Sequence, residues 1–240
     1  MPAHLTACKY DANKPQLYLN NYERFFESLA DRNIKLFELG IAKGGSLLMW
    51  KDFFKKGQIV GLDLNPVKVE DPTGRIQVYQ GDQGDVKLLS RIGAECAPEG
   101  FDVIIDDASH VGKLTKTSFW HLFDNYLKPG GLYVIEDWRV GYWRAWPDGA
   151  KYKFPNSPAN RLKRLLWRSL FPSHSQGMVG LIKQLIDELG MDAITAPARQ
   201  GTPPHRFPKF QRMEICPGQV FIVKSTNRDH ELVEGMWRAA

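Results

Sequence analysis

The sequence predicts an α/β protein with a mostly parallel sheet and helices on both of its faces. Over the first 137 residues, short apolar runs alternate with stretches of helical periodicity, as in consecutive βαβ crossovers. The apolar runs show little polar alternation, which is typical of strands covered on both sides. A length of 240 residues suits one large domain, so residues 1–240 are predicted to form a single domain.

The first part of the chain supplies five predicted strands. An N-terminal helical segment, residues 1–32, precedes them, and its stretch "YLNNYERFFESLA" places apolar residues at helical spacing. Short apolar runs predict strands at residues 34–40, 58–64, 75–82, 101–107 and 132–137. Amphipathic stretches predict helices at residues 46–54, 86–93 and 116–127. The turn "KPGG" is predicted to end the last of these helices.

The pattern breaks after residue 137. A lid or insertion is expected around residues 138–178, where "NRLKRLLWRSLF" (160–171) reads as a basic amphipathic helix. Residues 179–190, "VGLIKQLIDELG", predict another helix with a glycine stop. The chain then forms a predicted antiparallel hairpin, residues 209–216 and 219–224, around Pro217-Gly218.

The positive charge of the chain is concentrated in one segment. Residues 138–170 contain eight basic residues and one acidic residue, Asp148, so this segment has a net charge of +7. The whole chain carries +5, so the remainder is about −2. Basicity is therefore a local feature, and it does not by itself predict a nucleic-acid-binding surface over the whole protein.

Composition favours a cytoplasmic globular protein. No apolar run approaches the roughly 20 residues that span a bilayer, and the N-terminus lacks the pattern of a secretory signal. Three scattered cysteines, Cys8, Cys96 and Cys216, form no metal-binding or disulfide-like spacing. Contact with a membrane surface through residues 160–171 and assembly into a homo-oligomer are both left open.

A glycine-rich turn follows the first strand in "FELGIAKGGS". Glu38 and Gly40 end the strand, and Gly44 and Ser46 stand at the start of a helix. Glycines let a ligand approach the backbone, and a helix N-terminus offers free N–H groups. These residues predict a ligand site outside the carboxyl ends of the strands.

Two further strands end in acids at the same edge. Asp63, followed by Leu64, can hold ribose hydroxyls, and Asp82 can meet an adenine. The glycine pattern is not GxGxxG, and no P-loop lysine flanks it. A nucleoside ligand without pyrophosphate therefore fits better than NAD or ATP.

Together these motifs resemble class I S-adenosylmethionine-dependent methyltransferases. More narrowly, "GGSLLMWKDFFKKGQIVGLDL", "IIDDASH", "LKPGGLYVIEDW" and "PGQVFIVK" are similar to the metal-dependent sugar O-methyltransferases of macrolide and aminocoumarin biosynthesis. The cephalosporin-hydroxylase-like and rhamnosyl O-methyltransferase group is also similar. The resemblance covers residues 8–137 and 209–224, and it implies a Rossmann-like, seven-stranded sheet.

The resemblance also implies roles for individual residues. S-adenosylmethionine is expected to contact Glu38, Gly40, Gly44, Ser46, Asp63, Leu64, Asp82 and Asp106, with Tyr18 covering its methionine end. A divalent ion, usually Mg²⁺, is expected on Asp107, Glu136 and Asp137. His110 is expected to be the general base, and Asp107 is the second catalytic residue.

The carboxylates themselves support a metal site. Asp107 follows the fourth strand and Glu136 and Asp137 end the fifth, so the three converge if these strands are neighbours. Unpaired, they would repel one another and raise a pKa, whereas Mg²⁺ would resolve the conflict and accept a substrate hydroxyl. Asp106 points away from Asp107, because adjacent strand residues face opposite sides. It therefore also has an interpretation as a structural turn acceptor.

The predicted function is Mg²⁺-dependent O-methylation of a sugar hydroxyl in a natural product or glycan. The alternative is a nucleic-acid methyltransferase or binding protein that uses residues 138–170, where aromatic and basic residues interleave. A metal-dependent hydroxylase is less consistent with an all-carboxylate ligand set. Trp138, Tyr142, Trp143 and Trp146 form either a sugar-binding wall or plain packing under a lid.

Overall fold

Seven strands form one sheet in the order β3-β2-β1-β4-β5-β7-β6. The computed structural model describes residue 5 and residues 9–151, 176–195 and 206–226. The strands are β1 (Lys35–Leu39), β2 (Gln58–Asp63), β3 (Ile76–Gln80), β4 (Phe101–Asp106), β5 (Leu127–Glu136), β6 (Phe210–Ile215) and β7 (Gln219–Lys224). The first five are parallel to one another, and β7 pairs antiparallel with both β5 and β6. The predicted fold class, including the C-terminal hairpin, is confirmed.

Seven α-helices accompany the sheet in the described part of the chain. They are α1 (Gln16–Phe26), α2 (Gly45–Phe53), α3 (Val86–Cys96), α4 (Gly112–Asn125), α5 (Pro147–Lys151), α6 (Gly177–Leu189) and α7 (Met191–Ile194). Two short 3₁₀ helices cover Glu27–Leu29 and Trp138–Tyr142. Of the helices that the structure describes, none has the length and apolar character needed to cross a bilayer.

Two element boundaries differ from the prediction by four residues or more. β5 starts at Leu127, because Leu127 pairs with Phe101 before a register irregularity, so the "KPGG" turn lies within the strand. α4 starts at Gly112 rather than four residues later, since the side chain of Asp148 accepts the Gly112 N–H. The predicted helix at residues 160–171 lies outside the described residues.

The core lies on both faces of the sheet. On one face α1 and α2 pack Tyr22, Phe26 and Trp50 against the strands. On the other face α3, α4 and α6 contribute residues such as Phe119 and Leu185. Each such side chain stabilises the fold by about 1.5–3 kcal/mol on burial. This double cover holds the carboxyl ends of the parallel strands in fixed positions.

Candidate active site

A cavity of about 640 Å³ opens at the carboxyl ends of β1, β2, β4 and β5. The turns after these strands form its floor, and residues 12–15 together with Tyr18 form one wall. Its volume lies in the range of small-molecule sites, and open α/β sheets bind their ligands at this edge. The position agrees with the ligand site predicted from the glycine-rich turn.

Gly40 brings the β1 and β4 turns into contact. Its φ is +81°, and a Cβ placed there would lie 2.2 Å from the carbonyl oxygen of Asp107. Gly44 has a φ of +83°, but its missing Cβ faces Val69 at 2.3 Å, and the residue does not line the cavity. Gly40 is therefore a floor residue, whereas Gly44 serves packing at the start of α2.

Asp63 lies at the cavity with its carboxylate held by the backbone. Oδ2 accepts the N–H groups of Ile41 and Ala42, both at 3.0 Å, and Oδ1 accepts the Asn65 N–H at 2.9 Å. These bonds join the end of β2 to the turn after β1. Oδ2 accepts two N–H groups, whereas the second contact of Oδ1 is a long one of 3.4 Å from Asn65 Nδ2, so Oδ1 is the oxygen that can still accept from a ribose hydroxyl.

Asp82 and Leu64 also line the cavity. The Asp82 carboxylate accepts the Gly84 N–H at 2.7 Å, which orients it after β3. Leu64 is 66% exposed, a large exposed fraction for a leucine next to a cavity. An apolar side chain beside two acids suits a ligand with a flat ring and hydroxyl groups, as predicted for a nucleoside.

Glu38 lies beneath the cavity rather than in its lining. Its carboxylate accepts bonds from Ser46 Oγ at 2.6 Å and from Trp50 Nε1 at 3.0 Å, and it is fully buried. Burial raises the pKa of Glu38. Ser46 does line the cavity. Glu38 therefore supports a residue that faces the ligand, and its own contact with a cofactor stays a prediction.

Asp106 points away from the cavity, in line with the structural interpretation. Its carboxylate is buried, and it accepts bonds from Ser118 Oγ at 2.7 Å and from Gln83 Nε2 at 3.1 Å. Tyr133 donates a longer bond of 3.4 Å. The residue is not part of the cavity lining. The structure thus places Asp106 in the core side of the sheet and away from the position expected for a cofactor ligand.

Asp107, His110 and Asp137 converge at the cavity. One potential ligand atom from each lies within 4.8 Å of the others. His110 Nε2 is 3.9 Å from Asp107 Oδ1 and 3.9 Å from Asp137 Oδ2. Burial raises the pKa of Asp107 to about 6, against the opposing charge of Lys14. Two carboxylates and an imidazole at this spacing fit a divalent ion that retains some water ligands.

Glu136 lies beside this group but is bonded elsewhere. Its Oε1 accepts from Lys14 Nζ at 2.9 Å and from the Tyr22 hydroxyl, and only 2% of the residue is exposed. Burial and the charge of Asp107 raise the pKa of Glu136 to about 7. Glu136 still lines the cavity. Its assignment as a metal ligand, next to Asp107 and Asp137, stays a prediction.

The sequence analysis missed Lys14. Its ammonium group is buried at 2.8 Å from Asp107 Oδ2, 2.9 Å from Glu136 Oε1 and 3.3 Å from Glu38 Oε1. Burial by itself would lower the pKa of Lys14, but the three carboxylates raise it well above its usual value. The predicted convergence of three acids is the one signal in the sequence that indicates a nearby positive charge, because buried carboxylates require a partner of opposite charge. The sequence predicts a metal ion as the source of this charge, whereas the structure also supplies Lys14.

Four non-glycine residues around the cavity have a left-handed backbone, among them Asn13, whose φ angle is 47°. The φ angles of His110 and Asp137 are both 52°, and that of Ala42 is 47°. Such conformations are disfavoured for residues with a Cβ and persist where surrounding contacts impose them. Two of the four residues supply the convergent imidazole and carboxylate described above. The backbone strain is therefore located where the chemistry is expected.

The segment that carries Trp146 packs against His110. Trp146 lines the cavity, and Asp148 in α5 accepts the Gly112 N–H at 2.7 Å and the Met178 N–H at 2.9 Å. Asp148 thus joins the first turns of α4 and α6 to the segment that carries Trp146. Trp138 instead donates its indole N–H to the Cys216 carbonyl at 3.0 Å, so it is a structural contact. Of the predicted aromatic wall, Trp146 is the member at the cavity.

Comparison with known proteins adds sequence relatives to this geometry. No protein-family model matches the chain. The chain is 42% identical over 130 residues to mycinamicin VI 2''-O-methyltransferase of Micromonospora griseorubida, covering 51% of this chain and 32% of the relative. It is 29% identical over 221 residues to 8-demethyl-8-alpha-L-rhamnosyl tetracenomycin-C 2'-O-methyltransferase of Streptomyces olivaceus, covering 89% of this chain and 51% of the relative.

A solved structure extends the similarity to three dimensions. The MycE methyltransferase from the mycinamycin biosynthetic pathway, in complex with Mg and SAH, matches with a TM-score of 0.73 and 30% identity. The match covers 95% of this chain and 55% of that chain. The matches span only 32% and 51% of the lengths of the two curated relatives named above.

The sheet order, the cavity at its carboxyl edge and these similarities define the class I S-adenosylmethionine-dependent methyltransferase fold. Within that class, the chain is related to the sugar O-methyltransferases of macrolide and tetracenomycin biosynthesis.

Proposed function

We propose that the chain transfers a methyl group from S-adenosylmethionine to a sugar hydroxyl of a natural product or glycan, with the help of a divalent ion such as Mg²⁺. The observation that carries this proposal is the convergence of His110 with Asp107 and Asp137 within 4.8 Å at the cavity edge. The relatives named as sugar O-methyltransferases and the Mg and SAH bound to MycE support it.

The cofactor is proposed to occupy the part of the cavity next to Asp63 and Asp82. Asp63 would accept from the ribose hydroxyls, and Asp82 would lie near the base. Tyr18, in the opposite wall, would cover the methionine end. The cavity volume of about 640 Å³ accommodates a nucleoside with an amino-acid tail and part of an acceptor.

The metal is proposed to bind Asp107 and Asp137, with Glu136 as a further ligand. When bound, such an ion lowers the pKa of a hydroxyl that contacts it. His110 Nε2 lies 3.9 Å from a carboxylate oxygen of Asp107 and of Asp137. A hydroxyl held between these carboxylates would therefore be within reach of His110, which would take its proton. The substrate oxygen forms a bond to the methyl carbon while the carbon–sulfur bond breaks, which leaves a thioether and a protonated His110.

The function is tested by methyl transfer from labelled S-adenosylmethionine to a panel of glycosylated acceptors. We expect transfer that EDTA abolishes and Mg²⁺ restores, with a product heavier by one methylene unit. The variant Asp107→Asn should lose metal-dependent turnover. Asp102→Asn is the matched control, because Asp102 lies at the opposite end of β4, bonded to Lys128 at 2.8 Å.

Three results would contradict this proposal: transfer that is indifferent to EDTA, full activity of Asp107→Asn, or no transfer to any glycoside. The nucleic-acid alternative depends on residues 138–170, of which 152–170 lie outside the described part. No observation on the described residues favours it. Methyl transfer to RNA but to no glycoside would decide for that alternative.

A further inference from the structure

We propose that Lys14 and Tyr18 are positioning residues of the metal site. Each binds one oxygen of a carboxylate and leaves the other oxygen directed at the space between Asp107, His110 and Asp137. This inference rests on the proposed metal dependence and adds to it two residues from the N-terminal wall, neither of which is itself a metal ligand.

Lys14 divides the two oxygens of Asp107. Its ammonium group donates to Oδ2 at 2.8 Å, whereas Oδ1 lies 3.9 Å from His110 Nε2. The ammonium is buried, with a side chain only 3% exposed, and it can donate to three carboxylates at once. A free aspartate rotates about its terminal torsion. Lys14 removes that freedom and keeps Oδ1 on the side of His110.

Tyr18 acts in the same way on Asp137. Its hydroxyl donates to Oδ1 at 2.5 Å, and Oδ2 lies 3.9 Å from His110 Nε2. The Asp137 side chain is 41% exposed, so without this bond little would hold it in place. Burial and the Asp137 charge raise the pKa of Tyr18, which keeps the hydroxyl a donor. The two carboxylates are therefore oriented in matching ways from one wall.

The two positioning residues belong to one short segment. Lys14 directly precedes Pro15, the N-cap of α1, and Tyr18 lies in the first turn of that helix. Gly218 fixes the tyrosine from the other side, because a Cβ at Gly218 would lie 1.7 Å from the Tyr18 hydroxyl oxygen. One turn further along, Tyr22 donates to Glu136. The first two turns of α1 and the lysine before them thus contact all three acids at the carboxyl ends of β4 and β5, which are Asp107, Glu136 and Asp137.

Residues that orient metal ligands have a measurable effect on binding. Loss of such an outer contact typically costs 10- to 100-fold in metal affinity. Lys14 also carries a positive charge, and the loss of that charge would strengthen the attraction of the three carboxylates for a cation, which opposes the effect of lost orientation. Tyr18 carries no charge, and Tyr18→Phe keeps the ring. The effect of Tyr18→Phe therefore reports on orientation rather than on charge balance.

The test is the binding of Mg²⁺ to the full chain by isothermal titration calorimetry, without acceptor or turnover. We expect Tyr18→Phe to weaken Mg²⁺ binding by about 10- to 100-fold. Lys14→Met should weaken it by a smaller factor, because the loss of the ammonium charge also removes its repulsion of the ion. Tyr79→Phe is the control for a lost tyrosine–carboxylate bond, since Tyr79 donates to Glu95 at 2.9 Å. Lys128→Met is the control for a lost lysine–aspartate pair. Both controls should bind Mg²⁺ like the wild type.

Circular dichroism and thermal unfolding establish that each variant is folded. Folded Tyr18→Phe and Lys14→Met with wild-type Mg²⁺ affinity would overturn the inference, because a purely structural role moves stability and not metal binding. If Lys14→Met does not fold, Tyr18→Phe decides alone. If the wild type itself binds no divalent ion, the metal dependence in the proposed function fails. If the wild type binds and both variants bind equally, only this inference fails.

Discussion

The Trp146 indole lies edge-on to the His110 imidazole, with ring centroids 5.3 Å apart and an interplanar angle of 65°. Both residues line the cavity. An edge-to-face contact of this kind restricts the rotation of the imidazole. His110 is consequently held from three directions, by its own left-handed backbone, by the indole and by the two nearby carboxylates.

His110→Ala should reduce methyl transfer by about 10²- to 10⁴-fold, because the hydroxyl proton loses its acceptor. SAH affinity, measured by calorimetry, should stay near the wild-type value, since the cofactor part of the cavity is unchanged. His121→Ala is the matched control. His121 lies in α4 and bonds with Ser90 Oγ at 2.9 Å, outside the cavity lining. A near-wild-type rate for His110→Ala would assign the proton to another group.

Asp148→Ala should raise the KM for the acceptor while leaving SAH affinity unchanged. The substitution removes the acceptor of two helix N–H groups, at Gly112 and Met178, and so loosens the segment that carries Trp146. The loss of the cap should also lower the free energy of unfolding by about 0.5–2 kcal/mol. Steady-state kinetics and urea unfolding check the two effects.

Asp85→Ala separates the kinetic effect from simple destabilisation. Asp85 caps α3 by accepting the N–H groups of Lys87 and Leu88, so its loss costs a comparable pair of bonds. This control should be destabilised without a change in acceptor KM. Equal KM values for the two variants would show that the segment that carries Trp146 does not contact the acceptor.

Asp106→Asn should lower the free energy of unfolding by about 1–3 kcal/mol, because the new amide NH₂ would face the Gln83 Nε2 donor at a position where a carboxylate oxygen now accepts from it. SAH affinity should not change, since the carboxylate points into the core. Urea unfolding and calorimetry measure these quantities separately. If Asp106→Asn binds SAH more weakly while its free energy of unfolding equals that of the wild type, Asp106 contacts the cofactor as the family resemblance implies.

Mg²⁺ affinity should fall as the pH falls through about 6. Burial raises the pKa of Asp107 to about 6, and the protonated carboxyl is a poor ligand. Below the pKa a proton must leave before the ion binds, so the apparent affinity at pH 5 should be at least about tenfold lower than at pH 7.5. The difference should be larger if Glu136, whose pKa is raised to about 7, is also a ligand. Calorimetry at the two pH values, in buffers of different ionisation enthalpy, also measures the released proton. Equal affinities would contradict the assignment of Asp107 as a ligand.

Features that depend on local sequence could be predicted. The apolar run of β4 and the acids at its end are adjacent in the chain. The sequence therefore predicts both the strand and the position of its carboxylates at the carboxyl edge of the sheet. The neighbouring position of β4 and β5 came from the family resemblance and is confirmed. Parallel strands bring their carboxyl ends to one edge, which explains why Asp63, Asp107 and Asp137 could be placed around one site.

Features that depend on distant contacts could not be predicted. Lys14 meets Glu136 across 122 positions of the chain, and nothing in its neighbourhood distinguishes it from a surface lysine. In the sequence, Asp148 is distinguished only as the single acid of a basic segment, yet in the structure it joins the first turns of α4 and α6. Asp106 and Asp107 have the same chemistry, and the alternation of strand residues alone separated them.

The distance between Lys14 and Glu136 along the chain has a consequence for biosynthesis. The ribosome makes Lys14 long before β5, so the lysine has no carboxylate cluster to enter while the nascent chain is short. Closing so long a loop carries an entropic cost that only a largely formed sheet can offset. The lysine is therefore synthesised before the acids of β4 and β5, and its ion pairs with Asp107 and Glu136 can form only after both strands have been made.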